Sequence, residues 1–413
     1  MRECPPLSAT NTSRRTGRAV RGVLSGTLAA LLGTGLVAPS PATAAPPICG
    51  PRGDERLTEM PWALRRLEPS SAWQLSRGAG VTVAVIDSGV SATHPLLEGR
   101  VLEGRDFNNL AANKGQCDEA GHGTLIAGII AGREGLGVPF SGIAPAARIL
   151  PIRVLPKLGD TSDPKLPGEI AAAIDWAVAQ GADVINLSLT TIPSTELTAA
   201  VERALAQKVV LVAAAGNGTG QQTDRPGYPA AYPGVIAVGG VDEQGGHVGT
   251  SISGDYVDIA APGLQIIGPA PNGPGYRLVA EGGTSYAAAY VTGVVALVRA
   301  AYPSLNPQEV ADRLKRTADN PPEGHNADIG YGVVNPYRAV SSLLGTRANP
   351  PAGALPAPAV RDDPLSWQRP VAIWAAVIGG LLTLLLLIAR PIVARGRQRG
   401  WRPGRRTDSP AAG

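Results

Sequence analysis

The chain has 413 residues, 44% of them hydrophobic and 4% aromatic, with 52 glycines and 38 prolines, so it has ample material for a core, built from small side chains and joined by many turns. Its formal net charge of +4 is concentrated at the two ends. With the basic termini set aside the remainder is net acidic, which excludes nucleic acid or another polyanion as a partner.

Residues 1–44 read as an export signal. Arg14, Arg15, Arg18 and Arg21 form the positive start, "VLSGTLAALLGTGLVA" (23–38) the apolar stretch, and Ala42-Thr43-Ala44 an A-x-A site, so cleavage is expected before Ala45. Glycines, Pro39 and a run shorter than the ~20 residues of a span argue against a membrane anchor at this end. Cys4 leaves with the signal, and Cys49 and Cys117 remain as an even pair in an oxidising compartment, where a disulfide is the expected state. Two free thiols or a metal pair are the alternatives, although no C-x-x-C spacing supports metal. Residues 45–79 form an N-terminal extension that offers Trp62, Leu64, Leu67 and Trp73 to pack on the domain beginning at residue 80.

From residue 80 to 345, short β-branched runs alternate with small-residue helical stretches. The runs are "VTVAVID" (81–87), "ARILPIRVL" (147–155), "ADVINLSL" (182–189), "VVLVAAAGN" (209–217) and "VIAVGGVD" (235–242). Between them lie "HGTLIAGIIAG" (122–132), "GEIAAAIDWAVAQG" (168–181) and "TELTAAVERALAQK" (195–208) with helical spacing. Strands that are continuously apolar are buried on both faces. The alternation therefore predicts one α/β domain, a mostly parallel central sheet with helices on both faces in three layers.

The Pro/Ala-rich stretch 346–370 reads as a semi-extended linker. Residues 371–389, "VAIWAAVIGGLLTLLLLIA", hold 19 residues without a charge, the length of a transmembrane helix. Seven arginines and one acid follow in 390–413, a basic tail expected to stay in the cytoplasm, with residues 45–370 outside.

Four stretches carry candidate chemistry. Open parallel sheets place their sites at the carboxyl ends of strands, and Asp87 stands at such an end, although D-S-G alone is equally an ordinary turn. His122 lies between Gly121 and Gly123 at the start of a helical stretch, where capping is the plainer role. "EGGTSYAAAYVTG" (281–293) holds Ser285 where a helix is expected to begin, so the hydroxyl reads as a cap or as a nucleophile. Nucleophilic catalysis needs a hydroxyl, a base beside it and a third group to orient that base, and Asp87, His122 and Ser285 are of these three kinds. Asn217, after "VVLVAAAG", suits a turn as well as an amide aimed at a developing oxyanion.

Taken together, "VIDSGV", "GHGT", "AAAGN" and "GGTSYAAA", in the order Asp, His, Ser over about residues 80–345, resemble the subtilisin-like serine proteases. The resemblance implies a subtilisin-like fold and catalytic roles for Asp87, His122 and Ser285, with the Asn217 and Ser285 amides at the oxyanion. It also implies substrate contacts from Ser188, Leu189, Ala215 and Gly216, protein or peptide substrates, and no cofactor. No acidic cluster at ligand spacing indicates calcium, and no metal is expected. Two departures stand out: Tyr286 follows the serine where Met is common, and Thr190 in "NLSLTTI" stands where a glycine is usual and is expected to narrow the groove that receives an extended peptide. Export signal, cysteine pair, proline-rich linker, single span and basic tail further resemble the mycosins, the membrane-anchored proteases of type VII secretion systems, and imply partners in that complex. Only 42 residues separate Ala45 from Asp87, too few for an independently folded inhibitory prosegment.

Overall fold

The runs that read as apolar on both faces do meet protein on both. The computed structural model describes residues 49–108, 114–135, 137–156, 163–218, 225–320, 324–344 and 368–401. The export signal (1–44), linker residues 346–367 and the tail from 402 onward lie outside the described residues. A seven-stranded sheet is formed by β1 (Thr82–Asp87), β2 (Arg105–Asp106), β3 (Arg148–Arg153), β4 (Val184–Leu187), β5 (Val210–Ala214), β6 (Ile236–Val241) and β7 (Ile259–Pro262). The strands run in the order β2-β3-β1-β4-β5-β6-β7 and every pairing is parallel.

Alternation along each strand sorts the core into two layers. Val83 and Val85 of β1, with Val184, Val210 and Val212, face helices α2 (His122–Ala131) and α5 (Thr284–Ala301). Ala84 and Ile86, with Ile185, Leu187 and Leu211, face α3 (Leu166–Ala179) and α4 (Thr195–Ala206). Small residues in α5, from Ala287 to Ala289 and at Gly293, let this helix lie close under the sheet, buried along most of its length. A Cβ on Gly293 would sit 2.5 Å from Ile143 Cβ, so that packing requires a glycine.

The N-terminal extension packs on this domain. Leu64 and Leu67 of α1 (Trp62–Leu67) are buried, Trp62 Nε1 donates to Leu264 O at 3.0 Å, and Trp73 Nε1 donates to Ile143 O at 2.9 Å. Glu55 also pairs antiparallel with Tyr276, adding main chain to the edge of a hairpin of β8 (Ile266–Pro269) and β9 (Tyr276–Val279). Two further helices, α6 (Pro307–Thr317) and α7 (Pro336–Ser341), close the domain.

Several boundaries differ from the sequence reading. β4 ends at Leu187 rather than Leu189, because Ser188 turns its hydroxyl toward α5. The C-terminal helix α8 runs over Gln368–Gln398, well beyond 389, since the arginines after the apolar stretch are good helix formers and carry it past Pro391. Within residues 370–398 of α8 the most apolar 18-residue window has a mean hydropathy of 2.7, and the helix is long and apolar enough to cross a membrane. α5 passes the same length test but is mostly buried, as befits a core helix.

Candidate active site

The site is assembled where the carboxyl ends of β1, β4 and β5 meet the amino ends of α2 and α5. Asp87 is the last residue of β1 and is fully buried. Its Oδ1 accepts from Ser88 N at 2.7 Å, from Ser88 Oγ at 3.1 Å and from His122 Nδ1 at 2.8 Å. The turn after it needs a glycine: Gly89 has φ +100°, and a Cβ there would lie 2.1 Å from Cys117 O. Gly123 allows the closest approach of α2, since its Cβ would lie 2.1 Å from Gly89 O and 3.2 Å from Asp87 Cβ. The two glycines thus let the imidazole reach the carboxylate.

A second buried acid, Asp118, stands behind this pair. Its Oδ1 accepts from Ser88 Oγ at 2.8 Å and from Gly121 N at 2.8 Å, and its Oδ2 accepts from Thr124 N at 2.8 Å. Burial pushes the Asp118 carboxyl up, while the bonds from Thr124 and Ser88 pull it down, and it remains above its ordinary value. Ser88 Oγ is therefore shared between two carboxylates and also accepts from Gly123 N at 3.1 Å. The sequence reading missed Asp118 and Ser88. The available signal was an acid four residues ahead of His122, which takes meaning only once α2 is placed.

The electrostatics of His122 follow from this cluster. Burial disfavours the imidazolium, yet the charge and hydrogen bond of Asp87, aided by the charge of Asp118, outweigh it and hold His122 above its ordinary value, with Arg277 opposing. Arg277 is held nearby by donating to Ala120 O at 3.2 Å. With Nδ1 donating to Asp87, Nε2 is the nitrogen left to take a proton.

The start of α5 is fixed by a reciprocal pair. Ser285 Oγ donates to Ser188 O at 3.1 Å, and Ser188 Oγ donates to Ser285 O at 2.7 Å. Asn186 Nδ2 donates to Ser188 Oγ at 2.9 Å and Thr292 Oγ1 donates to Asn186 Oδ1 at 2.8 Å, so the contact is anchored in the core. The expected capping role of Ser285 is corrected here. The helix begins at Thr284, its cap is Gly283 without a side-chain bond, and Ser285 is the second helical residue. Its hydroxyl hydrogen bond goes to Ser188 rather than to His122. The next residue, Tyr286, brings the two helices together, with its ring 5.3 Å from the imidazole, and burial, followed by the charge of Asp87, pushes its phenol well up so that it stays neutral.

Asn217 lies beyond the end of β5 and is exposed. Its Oδ1 accepts from Thr284 N at 2.9 Å and Thr284 Oγ1 at 3.2 Å, while Thr284 Oγ1 also accepts from Gly216 N at 3.1 Å. With the oxygen so occupied, the side-chain amide is free to donate, and it lies next to Gly283, whose built Cβ would be 3.1 Å from Nδ2. Of the four residues expected at the substrate, Ser188 and Gly216 border Ser285 and Thr284 directly, whereas the side chains of Leu189 and Ala215 are buried and only their main chain can serve.

Cys49 and Cys117 are joined in a disulfide, Cα–Cα 5.1 Å, which ties the extension to the residue before Asp118. The fold brings together a further His, Ser and Asp: Ser253 Oγ donates to Asp328 Oδ1 at 2.7 Å and lies 3.3 Å from His247 Nε2. Here the acid binds the hydroxyl and not the imidazole.

A parallel sheet with helices on both faces, Asp87 at a strand end and His122 and Ser285 in the first turns of two helices, has the subtilisin-like fold. The model of the subtilase family matches residues 78–332, and the chain belongs to that family and is a serine endopeptidase. Within it the chain is similar to the mycosins. Mycosin-4 of Mycobacterium tuberculosis (strain ATCC 25618 / H37Rv) is 35% identical over 374 residues, 80% of this chain and 81% of that protein. The solved structure of MycP3 protease from the type VII (ESX-3) secretion system superposes with a TM-score of 0.62 at 35% identity, over 71% of this chain and 91% of that one. A chain of the intact ESX-5 inner membrane complex gives a TM-score of 0.64 at 33% identity, over 84% and 94%.

Proposed function

We propose that this chain is a membrane-anchored endopeptidase that hydrolyses peptide bonds through Asp87, His122 and Ser285. The observation that carries the reading is the 2.8 Å bond from His122 Nδ1 to Asp87 Oδ1, which sets the tautomer and leaves Nε2 to take a proton, with the ring 5.3 Å from that of Tyr286 in the first turn of α5. In this reaction Ser285 Oγ leaves Ser188 O and donates to Nε2, a tightening common on substrate binding. Nε2 takes the proton as Oγ attacks the scissile carbonyl, Asp87 stabilises the imidazolium, and the same proton then passes to the leaving amine. The oxyanion forms between the Ser285 amide at the start of α5 and the Asn217 side-chain amide, where the helix dipole also favours negative charge. Asp118 and Ser88 position Asp87 without touching the substrate.

The domain faces away from the cytoplasm, with α8 in the membrane and the arginines after it inside, because a disulfide between Cys49 and Cys117 needs an oxidising compartment and the arginines follow the positive-inside rule. Its substrates are proteins of a type VII secretion system, in whose membrane complex it sits, a reading supported by similarity to a chain of the ESX-5 assembly. That similarity also favours a second role, bracing the complex. The two roles separate by comparing secretion in a Ser285→Ala strain with a deletion strain. Loss of secretion in both assigns the essential role to proteolysis, whereas secretion that survives the substitution and fails in the deletion assigns it to scaffolding.

A further inference from the structure

Given the reading of Ser285 and Asn217 above, on which this inference rests, the side chain preceding the scissile bond has a defined place. With the acyl carbon at Ser285 Oγ and its oxygen at Asn217 Nδ2, that side chain falls between the segment 188–190 leaving β4 and the segment 214–216 leaving β5. Two glycines would make this slot deep: Gly216 in the facing wall, with φ +116°, and Gly227 at the floor. Thr190, with Ala215 O and Ile252, fills the space they leave, and its methyl is in contact range of both. A Cβ built on Gly227 would lie 3.0 Å from Thr190 Cγ2 and 2.4 Å from Ala215 O, and one on Gly216 would lie 3.4 Å from the same methyl and 2.8 Å from Ile252 Cδ1. The Thr190 methyl therefore spans from its own wall to both glycines. The floor is held in place as well. Tyr256 Oη donates to Ala215 O at 2.9 Å and accepts from Gly227 N at 3.4 Å, so wall and floor are laced together through one half-buried phenol.

From this geometry we infer that Thr190 restricts the enzyme to substrates with glycine, alanine or serine immediately before the scissile bond. A larger side chain would have to displace Cγ2 of a β-branched residue, whose χ1 is stiff, from between two main-chain segments. The methyl acts by exclusion, and selection by exclusion reaches larger ratios than the loss of a favourable contact.

The test uses the full-length protein in detergent and quenched fluorescent peptides, randomised at flanking positions, that differ only in the residue before the bond. Wild type is expected to cleave the alanine set at least ~100-fold more efficiently than the phenylalanine or leucine sets, by kcat/KM. Thr190→Gly raises cleavage of the phenylalanine and leucine sets by ~10–100-fold and changes the alanine set by less than about threefold. Thr190→Ser, which removes Cγ2 alone, moves the ratio the same way, and Thr190→Val, which keeps both branches, preserves the exclusion. A fluorophosphonate, which has no side chain to place in the slot, reports the intact site, and its reaction with Ser285 should be equal in all four proteins. Equal wild-type cleavage of alanine and phenylalanine sets, or an unchanged ratio in Thr190→Gly and Thr190→Ser, would overturn the inference. Loss of fluorophosphonate reactivity in both variants would assign Thr190 to the architecture of the site and overturn it equally. Failure of the wild type itself to react would instead remove the nucleophile reading, and this inference with it.

Discussion

Two clusters among the described residues bring an aspartate, a histidine and a serine together, and they differ in which group the acid binds. At Asp87, His122 and Ser285 the acid is fully buried and binds the imidazole, and the serine is the second residue of a core helix that is pinned to the end of β4. At His247, Ser253 and Asp328 the acid accepts a hydrogen bond from the hydroxyl at 2.7 Å, the imidazole lies at the long distance of 3.3 Å, and the acid makes no bond to the ring that would orient it. In the second cluster the serine is held by the very group that should have activated its base. The difference teaches that residue types carry no chemistry until burial and hydrogen-bond order assign the roles.

Substitutions break this comparison in order of size. Ser285→Ala should lower kcat by on the order of 10⁶, the cost of removing the nucleophile in subtilisin itself, while Ser253→Ala should leave peptide hydrolysis within about threefold; comparable losses in the two variants would erase the distinction. Next in size, opening the 68-residue loop with Cys49→Ser/Cys117→Ser removes up to ~4 kcal/mol of stability, about 10³ in the folding equilibrium, by the chain-entropy argument. Denaturant melts of the full-length protein read this, and an unchanged midpoint would show that the packing of α1 and Trp73 and the Glu55 main-chain pairing hold the extension without the disulfide. Asn217→Ala should cost ~10² to 10³ in kcat with little change in KM, as expected for a donor that acts only on the oxyanion. A change confined to KM would place Asn217 in ground-state binding instead.

The smallest effect tests the second acid. Because His122 is held above its ordinary value against the pull of burial, kcat/KM should fall on acidification with a midpoint above about 6.5, since catalysis needs the neutral imidazole. Asp118→Asn removes one of the two negative charges that raise it, so the midpoint should move down toward 6.5, with less than about tenfold loss at the plateau. A midpoint that stays put while the plateau collapses would mean that Asp118 serves folding alone.

Much of the fold was legible because pattern and packing agree. The runs at 81–87, 182–189 and 209–217 are apolar on successive residues, and the structure buries both faces of β1, β4 and β5. Helices α3 and α4 were legible for the complementary reason, one apolar face each, seen in Ile170, Ile174 and Ala177 and in Leu197, Val201 and Ala204. Helix α6 was overlooked although Asn306 and Glu309 form a capping box ahead of it and Pro307 opens it. The β8–β9 hairpin gave no such sign, since it depends on main-chain pairing with Glu55, about 220 positions away. In the site, the motif residues were found by type and spacing, whereas Asp118, Ser88 and the reciprocal bonds between Ser188 and Ser285 depend on contacts across the fold that no local pattern encodes. Helix capping by Ser285 failed for a physical reason: the hydroxyl is drawn to Ser188 O, away from the amides of its own first turn.

The most direct measurement locates a fluorophosphonate adduct by mass spectrometry on the full-length protein and its His122→Ala variant. We predict modification at Ser285 in the wild type, none at Ser253, and a loss of at least ~10³ in labelling rate without the imidazole. An adduct at Ser253, or labelling of Ser285 that proceeds equally fast without His122, would contradict it.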